Sequence, residues 1–542
     1  QLVSRIRHAF GKDIPLRLVF DSPTVACLAQ ALSSAMESAS PAASQPILPA
    51  GRDSRLPLSF AQQRLWFLDQ LVPGSPFYNV PAAIRLRGEL DIEALRRTVS
   101  EVVRRHEVLR TRFEVVGSEP VQVIEEAVDV ELPVIDLSEL SEGEREEEAR
   151  RVASEEGRKP FELSKGPMLR VRVLRLGERE HVVTLTMHHI VSDGWSMGVL
   201  VKEVGQLYGR YAGGEEVELA EIGLQYADYA VWQREVMSVE VMEEEERYWR
   251  EQLGGELPVM ELGRRGRERK GRGQRGGRKA EVIGKELSEG VKRLSRGEGV
   301  TLFMMLVGAF KVLLHKYTSL DDIIVGTPIA GRDRKEVEGL IGFFVNTLAL
   351  RTSLKGNPTY RELLGRVREV ALGAYAHQNL PFEKLIEILK PERQLSRTPV
   401  FQVVFALQNA PSHRLELPGL TLSEMALDDK TSHFDLTLLA MDTEEGLMVS
   451  MEYDADLFEA PAISRMLKHY QTLLTSIVAN PDARLDELEI TSEAEKTEQS
   501  LERARRRESS IKKLRTVKRT AVDLPQAALA ERPALDIKRL SD

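Results

Sequence analysis

The sequence predicts an α/β protein built as two lobes. Strand-like alternation and helical spacing interleave from Leu56 to about Ile490. An Arg/Gly-rich stretch, "GRRGRERKGRGQRGGRK" at 263–279, divides that run into two halves. At 542 residues the chain is long enough for two separate cores.

The elements follow in order. Residues 1–32 alternate short amphipathic helices with turn signals at Gly11, Pro15 and Asp21-Ser22-Pro23, and are too few to bury a core alone. Residues 33–55 are rich in Ser, Ala and Pro and read as a linker. Residues 56–235 form the first lobe. "DIEALRRTVSEVVRRH" (91–106) is a helix, with Leu95, Val99, Val102 and Val103 on one face and Asp91 as N-cap. "PVQVIEEAVDVEL" (120–132), "MLRVRVLRL" (168–176) and "HVVTLTM" (181–187) alternate as strands. The acidic 142–158 stretch is an exposed helix with i,i+4 pairs. "LVKEVGQLYGRYAGG" (200–214) returns to helical spacing and stops at Gly213-Gly214.

Residues 236–490 form the second lobe. "TLFMMLVGAFKVLLHK" (301–316) is apolar nearly all round, a buried helix. Strands follow at 322–331, 400–407, 434–441 and 447–454, with helices at 360–377 and 461–480. The 263–279 tract has no aromatic residue on which a base could stack and reads as a solvated, mobile loop between lobes. Residues 491–542 form a tail whose basic stretch, 502–519, reads as a surface helix or linker.

Composition narrows the function classes. Hydrophobic residues at 42% and charged residues at 29% describe a globular chain. A net charge of −9 over this length draws it neither to nucleic acid nor to an anionic membrane. No run of roughly 18 apolar residues is present. The single cysteine excludes an intrachain disulfide framework, which suits a reducing, cytoplasmic setting.

One stretch concentrates chemistry: "MHHIVSDGWS", 187–196. If 181–187 is a strand, Val183, Leu185, Met187 and His189 share one face, and Thr184, Thr186 and His188 the other. Adjacent histidines on opposite faces cannot grip one ion, and zinc needs three or four converging ligands, so no metal is expected. The apolar face instead delivers His189 to the strand's carboxyl end, where α/β proteins commonly place their sites. A neutral imidazole there suits the orientation of a nucleophile or the removal of its proton near pH 7, and a packed core histidine is the competing reading. Asp193 is placed to hold the turn rigid, and Gly194 to let the backbone approach closely.

These residues resemble the HHxxxDG signature of condensation domains of nonribosomal peptide synthetases, which share the chloramphenicol-acetyltransferase-like fold. The likeness continues in the family's order through "SFAQQRLWFLDQL" (59–71), "RHEVLRTRF" (105–113), "YADYAVWQR" (226–234), "IGFFVNTLALR" (341–351), "HQNLPFEKLIE" (377–387) and "SRTPVFQVVF" (396–405). The resemblance implies two acetyltransferase-like lobes in a V-shaped pseudo-dimer around a central tunnel. Upstream donor and downstream acceptor carrier domains, neighbours in a longer synthetase, would bring thioesters into it on phosphopantetheine arms. The acceptor amine attacks the donor carbonyl to form an amide, and the chain binds no cofactor of its own.

By the same resemblance His189 is the catalytic histidine, as base or as a positioning group. His188, Asp193 and Gly194 support it, and Asp193 pairs with Arg332 of "GTPIAGRD" across the lobes. Asn346 and Ser196 are candidates for positioning substrate. Arg64 reads as a structural brace, and Trp66, Trp232 and Phe382 as core. "SDGWS" and "AQQRLWFLDQL" resemble the subgroup joining an L-donor to an L-acceptor, whereas the heterocyclising subgroup has aspartates in place of the paired histidines. Residues 1–32 look like the end of a carrier domain that lacks the serine bearing the prosthetic arm. An acyltransferase of the same fold using a coenzyme A donor, and an inert docking module, are the alternatives.

Overall fold

The computed structural model describes residues 2–501 except 11–13, 15, 23, 39–45, 128, 217–218, 238, 264–274, 391–398, 409–414, 428–431, 494 and 498–500. The compact body ends at Ile490, and 491–542 form a separate unit. The basic stretch 502–519 lies outside the described residues.

Each lobe is organised on one sheet. In the N-lobe the order is Leu420–Glu424, Asn79–Gly88, Glu180–His188, Leu169–Gly177 and Val134–Asp136, antiparallel except for the last pair. The C-lobe sheet runs Asn346–Ser353, Asp322–Ile329, Val403–Gln408, Leu436–Thr443, Gly446–Asp454 and Gly276–Gly284, with parallel pairing on both sides of Val403–Gln408. A small third sheet joins Leu56–Pro57, Glu119–Ile124 and Thr111–Val116.

Helices cover these sheets as their patterns dictate. Ile92–Arg105 is capped by Asp91, whose carboxylate accepts from Ala94 N at 2.9 Å, and buries Leu95, Val99, Val102 and Val103. The charged Glu142–Arg158 helix keeps one face of small residues, Ala149 and Ala153, packed under the N-lobe sheet. Its arginines pair at i,i+4 with Glu146 and Glu155. Leu302–Thr318 is the central helix of the C-lobe core, buried along most of its length. Among the described residues no single helix is long and apolar enough to cross a membrane.

Four features depart from the pattern reading. The third N-terminal helix runs Val25–Ser38, so its last turns lie in the stretch read as a linker. The helices at Leu16–Asp21 and Tyr360–Ala376 are tied by Arg17–Glu369 and Arg368–Asp21 pairs. The strand expected over 120–132 stops at Ile124. The end of the Arg/Gly tract, from Gly276, is an edge strand against Gly446–Asp454 rather than loop, because charged side chains are tolerated on an exposed edge.

The fourth departure concerns the lobe boundary. Two segments from the second half of the chain belong structurally to the first lobe. Strand Leu420–Glu424 adds to the N-lobe sheet against Asn79–Gly88. The excursion between strands Asp322–Ile329 and Asn346–Ser353 buries Val337, Leu340, Ile341 and Phe344 in the N-lobe core. A cut at 235/236 therefore separates the sequence but not the packing.

Candidate active site

The signature stretch sits where strand Glu180–His188 ends and helix Gly194–Ala212 begins, joined by a single 3-10 turn, His189–Val191. Ile190 and Val191, both 0% exposed, pin that turn into the core. Gln62 fixes it from the side by donating to the Ile190 carbonyl at 3.3 Å. Gln62 is itself locked by the capping box it forms with Ser59.

The two histidines have different environments. His188 is buried, and its Nδ1 accepts from Ile190 N at 3.1 Å, which places its proton on Nε2. Burial, then the charges of His189 and Arg170, push its protonation down to about 3, so it is a neutral structural ring. It packs edge-on against Tyr78 and Phe161. His189 retains partial exposure. Its Nδ1 lies 3.0 Å from the Ser192 carbonyl, an obligate acceptor, so Nδ1 carries the proton and donates. Nε2 therefore presents a lone pair, and among the described residues it makes no hydrogen bond. Burial lowers the affinity of this imidazole for a proton, and the Ser192 carbonyl and Asp193 oppose that shift only in part. Across from the ring stands Phe343, on the excursion between strands Asp322–Ile329 and Asn346–Ser353, 5.6 Å away. The His189 ring thus lies beside the segment that joins two C-lobe strands and packs on the N-lobe core.

Asp193 is the knot behind this arrangement. It caps helix Gly194–Ala212, with Oδ1 accepting from Ser196 N at 2.7 Å. Its Oδ2 accepts from Phe344 N at 3.0 Å, and Arg332 Nη2 lies 3.2 Å from Oδ1, both side chains fully enclosed. Arg332 also donates from Nη1 to the carbonyls of Val337 and Leu340, each at 2.7 Å, and lies over the Phe344 ring. The structure therefore brings together His188, His189, Asp193 and Arg332.

Three other expectations need correction. Ser196 is 0% exposed, and its hydroxyl is engaged by Asp193, Gly342 and Arg332, so it ties the lobes and offers nothing to a substrate. Asn346 donates both amide hydrogens to the carbonyls of Gln378 and Leu380 and accepts from Thr347 N and Phe382 N. With its polar atoms committed, it shapes the 378–382 loop rather than touching a substrate. Gly194 meets no close backbone: a Cβ there would find nothing within 4 Å, so the space above the helix start is open.

Arg64 does act as a brace, pairing with Glu383 of the C-lobe at 3.2 Å. Phe382 is core and Trp232 is half-buried beneath Arg334. Trp66 instead lines a cavity of about 640 Å³ shared with Asp69, Phe113 and Phe161. Phe161, one of its lining residues, packs 6.0 Å from the ring of His188. Tyr226 is a residue that sequence reasoning misses. It donates to Phe343 O at 2.6 Å and bonds Ser59 Oγ at 2.8 Å, fixing the residue opposite His189. Its place in a collinear motif is the one available signal.

Comparison with known proteins decides the family. The Condensation domain model matches residues 53–500. The chain belongs to the condensation-domain family. This condensation domain is 45% identical, over 92% of its length, to one of the linear gramicidin synthase proteins of Brevibacillus parabrevis. It is 37% identical, again over 92%, to surfactin synthase subunit 1 of Bacillus subtilis (strain 168). The chain spans only 6% and 13% of those two proteins.

Among solved structures, the X-domain in complex with OxyB from teicoplanin biosynthesis superposes with a TM-score of 0.75 at 28% identity, covering 83% of this chain and 99% of that one. The first condensation domain of the CDA synthetase gives 0.68 at 21% identity, covering 81% and 99%. These likenesses bear out the two-lobed chloramphenicol-acetyltransferase-like fold and the recognition as a condensation domain of the nonribosomal peptide synthetase type.

Proposed function

We propose that this domain forms an amide bond between a donor acyl or peptidyl thioester and the amine of an acceptor aminoacyl thioester, both of L configuration. Each reactant arrives on the phosphopantetheine arm of a carrier domain, one upstream and one downstream. Residues 1–32 are taken as the end of the upstream carrier. The reading rests above all on His189, whose proton is held on Nδ1 by the Ser192 carbonyl and whose Nε2 lone pair makes no hydrogen bond among the described residues.

In the reaction the acceptor amine attacks the donor carbonyl, forming the C–N bond. The tetrahedral adduct collapses as the C–S bond breaks, and the amine's proton ends on the departing thiolate. His189 Nε2 is placed to accept a hydrogen bond from the amine and so aim its lone pair. Because burial lowers its basicity, holding the amine suits it better than storing the proton. Confinement of two tethered reactants supplies much of the acceleration.

The expected outcome is that His189→Ala reduces amide formation between two loaded carriers by about 10²-fold or more while circular dichroism stays native. Undiminished product would sink the reading. The acceptor amine's own protonation lowers the rate toward acid, and His189 should add no separate inflection at or above pH 6.5, because the folded imidazole protonates only below its ordinary range; a second inflection there, absent from His189→Ala, contradicts this. The likeness to an X-domain found in complex with OxyB favours a second reading, a docking module. Turnover by the unaltered chain with native carriers excludes it.

A further inference from the structure

A second imidazole stands where the chain passes between the lobes. His433 lies on the return from strand Leu420–Glu424, in the N-lobe sheet, to strand Leu436–Thr443, in the C-lobe sheet. His433 is exposed, and its ring rests on Phe77, 4.1 Å between centroids, and on Tyr78 at 5.7 Å. Both aromatic residues belong to the turn Pro76–Tyr78, which feeds directly into strand Asn79–Gly88. That strand pairs Asn79 with His188, and Tyr78 meets the His188 ring at 6.3 Å.

Enclosure among these neighbours, then the charges of His189 and Arg64, hold the His433 imidazole well below its ordinary protonation range. Arg64 in turn is paired with Glu383. Tyr78 thus links the His433 ring to that of His188, next to His189, and among the described residues the His433 ring nitrogens make no hydrogen bond. An exposed neutral imidazole, flanked by aromatic rings and free on both nitrogens, is a donor and acceptor without a structural task.

We propose that His433 is a substrate-contacting residue: its ring nitrogens hold an amide group of a thioester-bound chain laid along Phe77 and Tyr78, opposite His189. The proposal rests on the amide-forming reading above. An aromatic wall accepts the flat face of an amide while one ring nitrogen meets its edge. His433 thereby fixes one of the two reactants, and His189 the amine.

The test compares the native chain with His433→Phe, which keeps the ring packing, and His433→Gln, which keeps a donor and an acceptor. Amide formation is followed with both carriers loaded, varying the donor and then the acceptor carrier. His433→Phe should lower kcat/KM for one of the two by about tenfold, the worth of one lost hydrogen bond, and His433→Gln should restore most of it. The responding reactant is the one His433 holds. Thermal midpoints should match the native chain because the ring is exposed. Activity of His433→Phe equal to native, or His433→Gln no better than His433→Phe, overturns the inference alone. No amide from the unaltered chain overturns the reading of the function, and this inference with it.

Discussion

Lys311 sits in the helix whose composition least suits it. It is 0% exposed within "LFMMLVGAFKVLLHKYT", with Nζ donating to Leu350 O at 2.7 Å and Thr352 Oγ1 at 2.6 Å. Burial pushes its protonation down to about 7, and Asp322 offsets this only in part. The folded value lies below the unfolded one, so the unfolded chain binds the proton more tightly. Stability is therefore lost as pH falls from the unfolded value toward 7 and stays low beneath it. Lys311→Met should stabilise the protein by roughly 1–3 kcal/mol at pH 6, since it removes a buried charge at the expense of two hydrogen bonds. At pH 10 the advantage should vanish or reverse. Urea midpoints at the two pH values check this, and an equal shift at both contradicts it. No periodicity reveals the role of this lysine, whose partners lie about forty positions away on a neighbouring strand. The same reason divides the site residues. His188 and His189 make their hydrogen bonds within their own turn, as Asp193 does in capping the next helix, so a local motif reveals them, although Asp193 also reaches Arg332 and Phe344. Ser196 and Asn346 escape such a reading because what occupies them, Gly342 in one case and the Gln378–Leu380 backbone in the other, is distant in sequence.

At the scale of elements, the excursion from Arg332 to Asn346 does more than link two strands. Its backbone receives bonds from the first lobe at several points, including Trp195 Nε1 to Glu338 O at 2.8 Å and Tyr226 Oη to Phe343 O at 2.6 Å. Close approach at Gly342 permits this. A Cβ there would fall 2.0 Å from the Tyr226 ring, which is 1% exposed and has no room to retreat. Gly342→Ala should cost roughly 1–3 kcal/mol by overpacking. It should also lower the amide-forming rate, because Phe343 beside His189 moves with the excursion. Gly339→Ala, where a Cβ meets nothing within 4 Å, should leave both unchanged. Thermal midpoints and initial rates of the two variants decide the matter; equal behaviour would mean that close packing at Gly342 does not seat Phe343. Long periodic helices such as Ile92–Arg105 and Leu302–Thr318 are legible because burial imposes their pattern. Strand Leu420–Glu424 is not, since it is short, lies at a sheet edge and has a burial pattern set by another lobe.

At the scale of the molecule, the lobes are two in sheet count but share one site through buried polar atoms. Arg332 follows a C-lobe strand and Asp193 an N-lobe strand, and both are enclosed, so their charges are compensated only while the excursion from Arg332 stays packed on the first lobe. Removing one partner strands the other in a medium that solvates it poorly. Arg332→Met should therefore cost about 3–5 kcal/mol and abolish activity, because Asp193 loses its countercharge and the carbonyls of Val337 and Leu340 lose their donor. Asp193→Asn combined with Arg332→Met removes both charges and should recover part of that loss, since the asparagine oxygen can still accept from Ser196 N, although the amide nitrogen then replaces the oxygen that accepts from Phe344 N. Urea unfolding of the single and double variants measures the coupling. Strict additivity would mean that the pair is incidental. Recovery of stability without activity would show that charge compensation holds the lobes together, while the geometry of the His189 turn needs the native pair.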